Sequence, residues 1–197
     1  MNKKIKLAIF ASGGGSNAVM LEQYFRQHNI IEIAVFLTNR HDSGVIKLAK
    51  KHNKPLLIFT NHELKNTSLV EDFLTYNGVD LIVLAGFLLK IPEYLIERFP
   101  DRILNIHPAL LPKYGGKGMY GHFVHEAVKA AGDTESGMTI HLVNEHYDKG
   151  TILFQEKCAI QPDDSAEEIA RKVLILEHKN YAQVVEEYCF HNFKNQG

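Results

Sequence analysis

The chain has 197 residues, with 22 Lys and Arg against 23 Asp and Glu and a formal net charge of -1, so nothing in its charge points to a nucleic-acid partner. At 45% hydrophobic residues it can bury one substantial core, and a single domain over residues 1–197 is expected. No apolar run approaches the roughly 20 residues that cross a bilayer, and Cys158 and Cys189 lack metal-site spacing; a cytoplasmic protein with two free thiols, no membrane partner and no metal is expected.

The N-terminus is basic and then apolar, but its apolar run is short and turns into glycines, so it reads as a first strand, about Lys6 to Phe10, rather than a signal peptide. Ala11-Ser12-Gly13-Gly14-Gly15-Ser16-Asn17 follows, then an amphipathic helix to about Gln27. A strand, a glycine turn and a helix N-terminus present free backbone N–H groups and a helix dipole to an anion, with Ser16 or Asn17 as cap. The spacing is not that of a nucleoside-triphosphate loop, and Ala18 stands where a third dinucleotide-loop glycine would fall. The alternative is a glycine-rich connection that binds nothing.

A second strand is predicted over Ile31 to Thr38, a helix over Val45 to His52, a short strand over Pro55 to Phe59 and a helix from Asn61 to Tyr76. Val79 to Phe87 is the most continuous apolar run, as in a strand buried on both faces. It continues through Leu88, Leu89, Lys90 and Ile91 where a loop should turn polar, which fits either plain packing or a wall for a flat apolar ligand. Pro92 opens a helix ending near Phe99.

Arg102 to His107 is the next strand. Residues two apart share a face, so Asn105 and His107 project together while Ile106 packs the other way, and Pro108 ends the strand. An amide donor beside a side chain that titrates near neutrality suits a reaction in which charge builds on a carbonyl oxygen while a proton moves. Tyr114 to Gly121 carries four glycines and reads as a lid. A helix over His122 to Ala131 follows, then a hairpin of Gly137 to Val143 and Thr151 to Glu156. Asp148 in its turn is the third candidate, because a carboxylate near His107 favours imidazolium. Asp163-Asp164-Ser165 caps a last helix, about Ala166 to Phe190, and the tail beyond is expected to fray.

Alternating strands and helices predict an α/β fold, a doubly wound and mostly parallel sheet with an antiparallel C-terminal hairpin and a long C-terminal helix. The glycine loop, the 86–91 segment and Asn105/His107 all fall at predicted carboxyl ends of strands, where such sheets bind ligands. Taken singly, Asn105 reads equally as a strand-end cap, His107 as a satisfied loop histidine and Asp148 as a turn residue. His28, His41 and His62 read as surface residues, His141 as supporting structure, and His122/His125 as a solvated helix face lacking a third metal ligand.

Ser12 to Asn17, Leu84-Ala85-Gly86-Phe87, Asn105-Ile106-His107-Pro108-Ala109-Leu110-Leu111-Pro112-Lys113-Tyr114 and Asp148-Lys149-Gly150 resemble the phosphoribosylglycinamide formyltransferase family, in order and over nearly the whole chain. The Asn-x-His-Pro-x-Leu-Leu-Pro motif is shared by folate-dependent formyltransferases generally, including those acting on methionyl-tRNA. The resemblance implies a Rossmann-like formyltransferase fold and transfer of a formyl group from 10-formyltetrahydrofolate, the co-substrate, to the amine of glycinamide ribonucleotide. It implies catalysis by Asn105, His107 and Asp148 and no metal. It places the substrate phosphate on Gly14, Gly15, Ser16 and Asn17, with Glu177 on the ribose or glycinamide part. Leu88, Leu89, Lys90, Ile91, Val143, Asn144 and Glu145 would line the folate site. The partners implied are small molecules, with a monomer or homodimer as assembly.

The sequence departs from the family pattern at three places. Thr60 to Ser68 lacks an arginine that is common there, with Lys65 a loose substitute; Leu89 stands at another common arginine position, beside Lys90; and Gly115 to Gly121 lacks a Pro-Gly-x-x-x-x-His pattern. A related formyltransferase, a formyltetrahydrofolate hydrolase and a non-catalytic binding module on the same fold remain the other readings.

Overall fold

The computed structural model describes residues 3–193. In chain order these form β1 (Ile5–Phe10), α1 (Ser16–Phe25), β2 (Ile31–Thr38), α2 (Gly44–Lys51), β3 (Leu56–Ile58), α3 (Asn61–Asn66) and α4 (Leu69–Tyr76). There follow β4 (Leu81–Leu84), α5 (Glu93–Arg98), β5 (Ile103–His107), α6 (His122–Ala131), β6 (Glu135–Leu142), β7 (Ile152–Ala159) and α7 (Ala166–Phe193). The sheet order is β3-β2-β1-β4-β5-β6-β7, with parallel pairing from β3 to β5 and antiparallel pairing of β5 with β6 and of β6 with β7. It is the doubly wound α/β architecture expected, with its antiparallel hairpin and long last helix.

Period-two alternation explains the two cores. Leu7 and Ile9 of β1 pack under α1, α2 and α7 with Leu21, Val45 and Val185, whereas Ala8 and Phe10 face α3, α4 and α5 with Leu64, Leu74 and Leu95. Both faces are dry, so the parallel strands read as unbroken apolar runs rather than alternating ones. Phe10, Phe59 and Phe87 meet edge-on or tilted, with centroids 5.3–6.2 Å apart, at the carboxyl end of the sheet.

Several boundaries differ from those expected. The predicted helix over Asn61 to Tyr76 is broken: Thr67 is extended, its hydroxyl accepts the Leu69 N–H at 3.3 Å and the Ser68 hydroxyl bonds Asp72 at 2.7 Å. The Thr67 hydroxyl, which also donates to the Glu63 carbonyl at 2.8 Å, competes for backbone groups where one helix ends and the next starts. The apolar run 79–87 is strand only over Leu81–Leu84, because Gly86 adopts φ +73° and turns the chain out of the sheet. Pro92 is extended and caps α5 instead of opening it. Gly15, not Ser16 or Asn17, is the cap of α1. For α7 the expected cap holds, with Ser165 and Glu168 exchanging side-chain and backbone hydrogen bonds at 2.6 and 3.2 Å. The last helix runs to Phe193, and the remainder of the tail expected to fray, 194–197, lies outside the described residues.

Among the described residues no helix is long and apolar enough to cross a membrane. Cys158 and Cys189 are free thiols, the second fully buried.

Candidate active site

Strand β1 sits where the sheet order reverses, with β2 on one side and β4 on the other, and ligands of doubly wound sheets collect beyond the carboxyl ends of strands at such a point. There a cleft of about 920 Å³ opens between the loops after β1, β4 and β5, the 116–121 loop, the β6–β7 turn and α7.

The antiparallel ladder of β5 and β6 places Asn105 opposite His141 and His107 opposite Thr139. His141 Nδ1 donates to the Leu142 carbonyl at 2.8 Å, which leaves Nε2 to accept from the Asn105 amide nitrogen at 3.1 Å. That contact orients the amide, turning its N–H side rather than its carbonyl toward His141. His141 was expected only as support from its place on a strand. Its position opposite Asn105 depends on the β5–β6 register, which the sequence of either strand alone does not reveal.

His107 is 4% exposed, and its Nε2 donates to the Tyr114 carbonyl at 2.8 Å. The neutral ring therefore keeps its lone pair on Nδ1, which faces Asp148 Oδ2 at 3.7 Å. Burial pushes this imidazole below its ordinary value, against upward pulls from Asp148 and the Tyr114 carbonyl, with His141 adding a further downward push. The expected rise caused by Asp148 is thus present but outweighed by desolvation, and His107 rests neutral.

Asp148 adopts φ +53° in the β6–β7 turn. Its Oδ2 accepts the Gly116 N–H at 2.8 Å, and Oδ1 lies 3.6 Å from His141 Nε2. Burial raises its pKa, but His141 and His107, when their facing nitrogens carry a proton, and the Gly116 N–H outweigh that and leave it below the ordinary carboxylate value. One ionised carboxylate therefore faces both histidines and holds the root of the 116–121 loop. At Gly115 a Cβ would come within 2.6 Å of the Leu111 side-chain tip and 3.2 Å of the Asp148 side chain, so a larger residue there would push on Leu111 and Asp148.

At the other end of the cleft, Gly15 takes φ +78° and α1 begins without a side-chain cap among the described residues, and its first backbone N–H groups lack intrahelical partners. A Cβ on Gly44 would stand 1.9 Å from the Gly14 carbonyl, which shows how closely α2 supports the loop. Asn17 and Glu177, 160 residues apart, hydrogen-bond at 2.7 Å. Glu177 is buried, and its pKa is raised by desolvation although Asn17 opposes the shift. Gly13, Asn17 and Glu177 line the cleft, whereas Gly14, Gly15 and Ser16 do not: Gly14 and Ser16 are exposed and Gly15 is buried.

Leu88, Leu89, Lys90, Ile91, Val143 and Asn144 all line the cleft. Glu145 does not: it is exposed, with His146 at 3.6 Å, because the turn carries it outward. The Ser12 hydroxyl accepts the Leu88 N–H at 3.0 Å and so ties the apolar wall to the glycine loop. Lys90 lies over the Tyr147 ring at 5.8 Å.

Two histidines correct the sequence reading. His28 is half-buried, its Nε2 2.8 Å from Glu186. His125 is not on a solvated face: it is buried, lines the cleft, and its Nδ1 has no hydrogen-bond partner among the described residues. Desolvation, with a smaller push from His107, lowers its pKa from 6.5 to about 4. The unfolded chain therefore takes up the proton first, and stability present above pH 6.5 is lost as pH falls toward 4, by at most about 3 kcal/mol. Urea unfolding at pH 7.5 and pH 4.5 should show a smaller acid-induced loss in His125→Phe than in the unsubstituted protein; equal losses would remove His125 as the cause.

The family described as formyl transferase matches residues 5–185. The chain is 42% identical to a chloroplastic phosphoribosylglycinamide formyltransferase of Arabidopsis thaliana, over 98% of this chain and 68% of that one. A second relative named chloroplastic, from Vigna unguiculata, is 42% identical over 95% of this chain, which spans 62% of its length. The phosphoribosylglycinamide formyltransferase of Haemophilus influenzae is 35% identical, over 91% and 85% of the two chains. Among solved structures, that of phosphoribosylglycinamide formyltransferase from Bacillus halodurans superposes with a TM-score of 0.84 at 29% identity, covering 93% of this chain and 95% of that one.

Proposed function

The chain belongs to the formyl transferase family, and on that premise we propose that it transfers a formyl group from 10-formyltetrahydrofolate to the amine of glycinamide ribonucleotide. The observation that carries the reading is the meeting, in one cleft, of an oriented amide, a buried neutral imidazole and an ionised carboxylate. The cleft has room for both substrates, and its chemistry is divided. The Leu88–Ile91 wall and Val143 suit the flat pterin. The glycine loop, with N–H groups that lack intrahelical partners at the start of α1, suits a phosphate. Asn17 and Glu177 lie between and suit the ribose or glycinamide.

In this reading the acceptor amine forms a bond to the formyl carbon and the carbonyl π pair moves onto oxygen. The free N–H of Asn105 holds that oxygen. His107 takes at Nδ1 the proton that the amine sheds on attack, becomes cationic beside Asp148, and donates to the oxyanion. It then gives the proton to the departing folate nitrogen N10, directly or through one water, as the carbonyl reforms and the carbon–N10 bond breaks. His141 holds the Asn105 amide in its donating direction throughout.

Deformylated folate is followed by absorbance, with and without glycinamide ribonucleotide. Turnover that requires the ribonucleotide is the expected result. Donor consumption without it would make water the acceptor and the protein a hydrolase, and folate binding with no turnover would leave a binding module.

Glu177→Gln should raise KM for the ribonucleotide about 10-fold or more, the worth of one hydrogen bond to a charged group, and leave KM for the formyl donor nearly unchanged. A shift confined to the donor KM would move Glu177 to the folate side.

A further inference from the structure

His107, Thr139 and Gln155 stand in one row across three strands. His107 opposes Thr139 in the β5–β6 ladder, and Thr139 opposes Gln155 in the β6–β7 ladder. Directly opposed residues of adjacent strands project on the same face. The Thr139 hydroxyl is fully buried, donates to the Ala109 carbonyl at 2.6 Å and accepts the Leu111 N–H at 3.0 Å. Its remaining lone pair is taken by Gln155 Nε2 at 2.8 Å, and the same Nε2 donates its second hydrogen to the Leu111 carbonyl at 2.9 Å. One hydroxyl proton, two lone pairs and two amide hydrogens are all used, so the network has no alternative partner to exchange into.

The segment held in this way follows His107 directly and ends at Tyr114, whose carbonyl takes the His107 Nε2 proton. Gln155 itself lies on the edge strand and does not line the cleft. We propose that Gln155 is a positioning residue: through Thr139 and both backbone groups of Leu111 it locks the 108–114 loop, and thereby fixes the direction and tautomer of the His107 ring. The loop's sequence alone leaves the Tyr114 carbonyl free to settle elsewhere. The Gln155 fork removes that freedom from the far side of β6, where a substitution would not be suspected of touching the chemistry. The kinetic consequence rests on the reading of His107 as catalytic; the structural consequence does not.

Gln155→Leu deletes both donors, and Gln155→Glu turns an acceptor toward the Leu111 carbonyl. Both are prepared in the full chain, with a thermal melt to establish the folded fraction. The ring nitrogens of His107 are read by 15N NMR, which reports the nitrogen that carries the proton, and kcat and KM are measured separately. The expected result in Gln155→Leu is a shift of the His107 ring nitrogens toward averaged values and a kcat lower by about 10-fold or more, since misplacement by an ångström is enough for such losses, with both KM values within about twofold. Gln155→Glu should be the more severe. Unchanged ring shifts and kcat in a folded variant would overturn the proposal, as would a lower melting temperature with normal turnover and normal shifts. Moved ring shifts with unchanged kcat would support the lock and remove His107 from the catalytic reading instead.

Discussion

Asn105→Ala is expected to lower kcat by about 10²–10³-fold, the loss that follows removal of one oxyanion donor, with substrate KM values changed little. The side chain is half-buried at the exit of β5, and His141 already takes one of its amide hydrogens at 3.1 Å. The other is the one available to a developing oxyanion, and water entering the truncated site would supply a donor with no fixed direction. His107→Ala should fall in the same range, because in the proposed reaction its proton and charge act at the same oxygen. Single-turnover and steady-state rates of both variants, normalised to folded protein, provide the check. Turnover within about threefold of the unsubstituted enzyme would remove the oxyanion role.

The second large effect is expected from Asp148→Asn, a loss in kcat of about 10²-fold or more for a group that supports proton transfer. Asparagine can still accept the Gly116 N–H through its carbonyl oxygen, so the contact to the loop, now 2.8 Å, can survive and the substitution removes charge rather than shape. Two consequences follow for His107. The upward pull of the Asp148 carboxylate disappears, so the His107 pKa, already below the ordinary value through burial, should fall further. In the proposed reaction the His107 cation also loses its neighbouring counter-charge. An NMR titration of the His107 ring in the two proteins tests the first point independently of turnover. A rise in the variant's His107 pKa, or full activity, would take Asp148 out of the reaction.

Much of this site was legible in the chain. The period-two spacing of Asn105 and His107, with Pro108 ending the strand, puts both side chains at one exit, and both line one cleft. The apolar continuation from Leu88 to Ile91 left packing and a ligand wall equally open; the structure turns the segment out at Gly86 and makes it a cleft wall. His125 was misread because i, i+3 spacing on a helix does not say which face is covered, and α6 turns that face into the cleft. Glu145 was misplaced because in a turn adjacent residues point in unrelated directions.

Local chemistry therefore determined the elements, the strand-end placement of the polar residues and the two apolar faces of the sheet, since these depend on backbone sterics and on side-chain periodicity within a few residues. Tertiary structure alone decided what depends on distance across the chain. It set His141 against Asn105, bound Asn17 to Glu177 from 160 positions away, and linked Gln155 to the loop after His107. It also settled the charge on His107, where the desolvation of a buried ring outweighs the attraction of Asp148. That balance is set by how much water the surrounding elements exclude, a quantity carried by no single stretch of sequence.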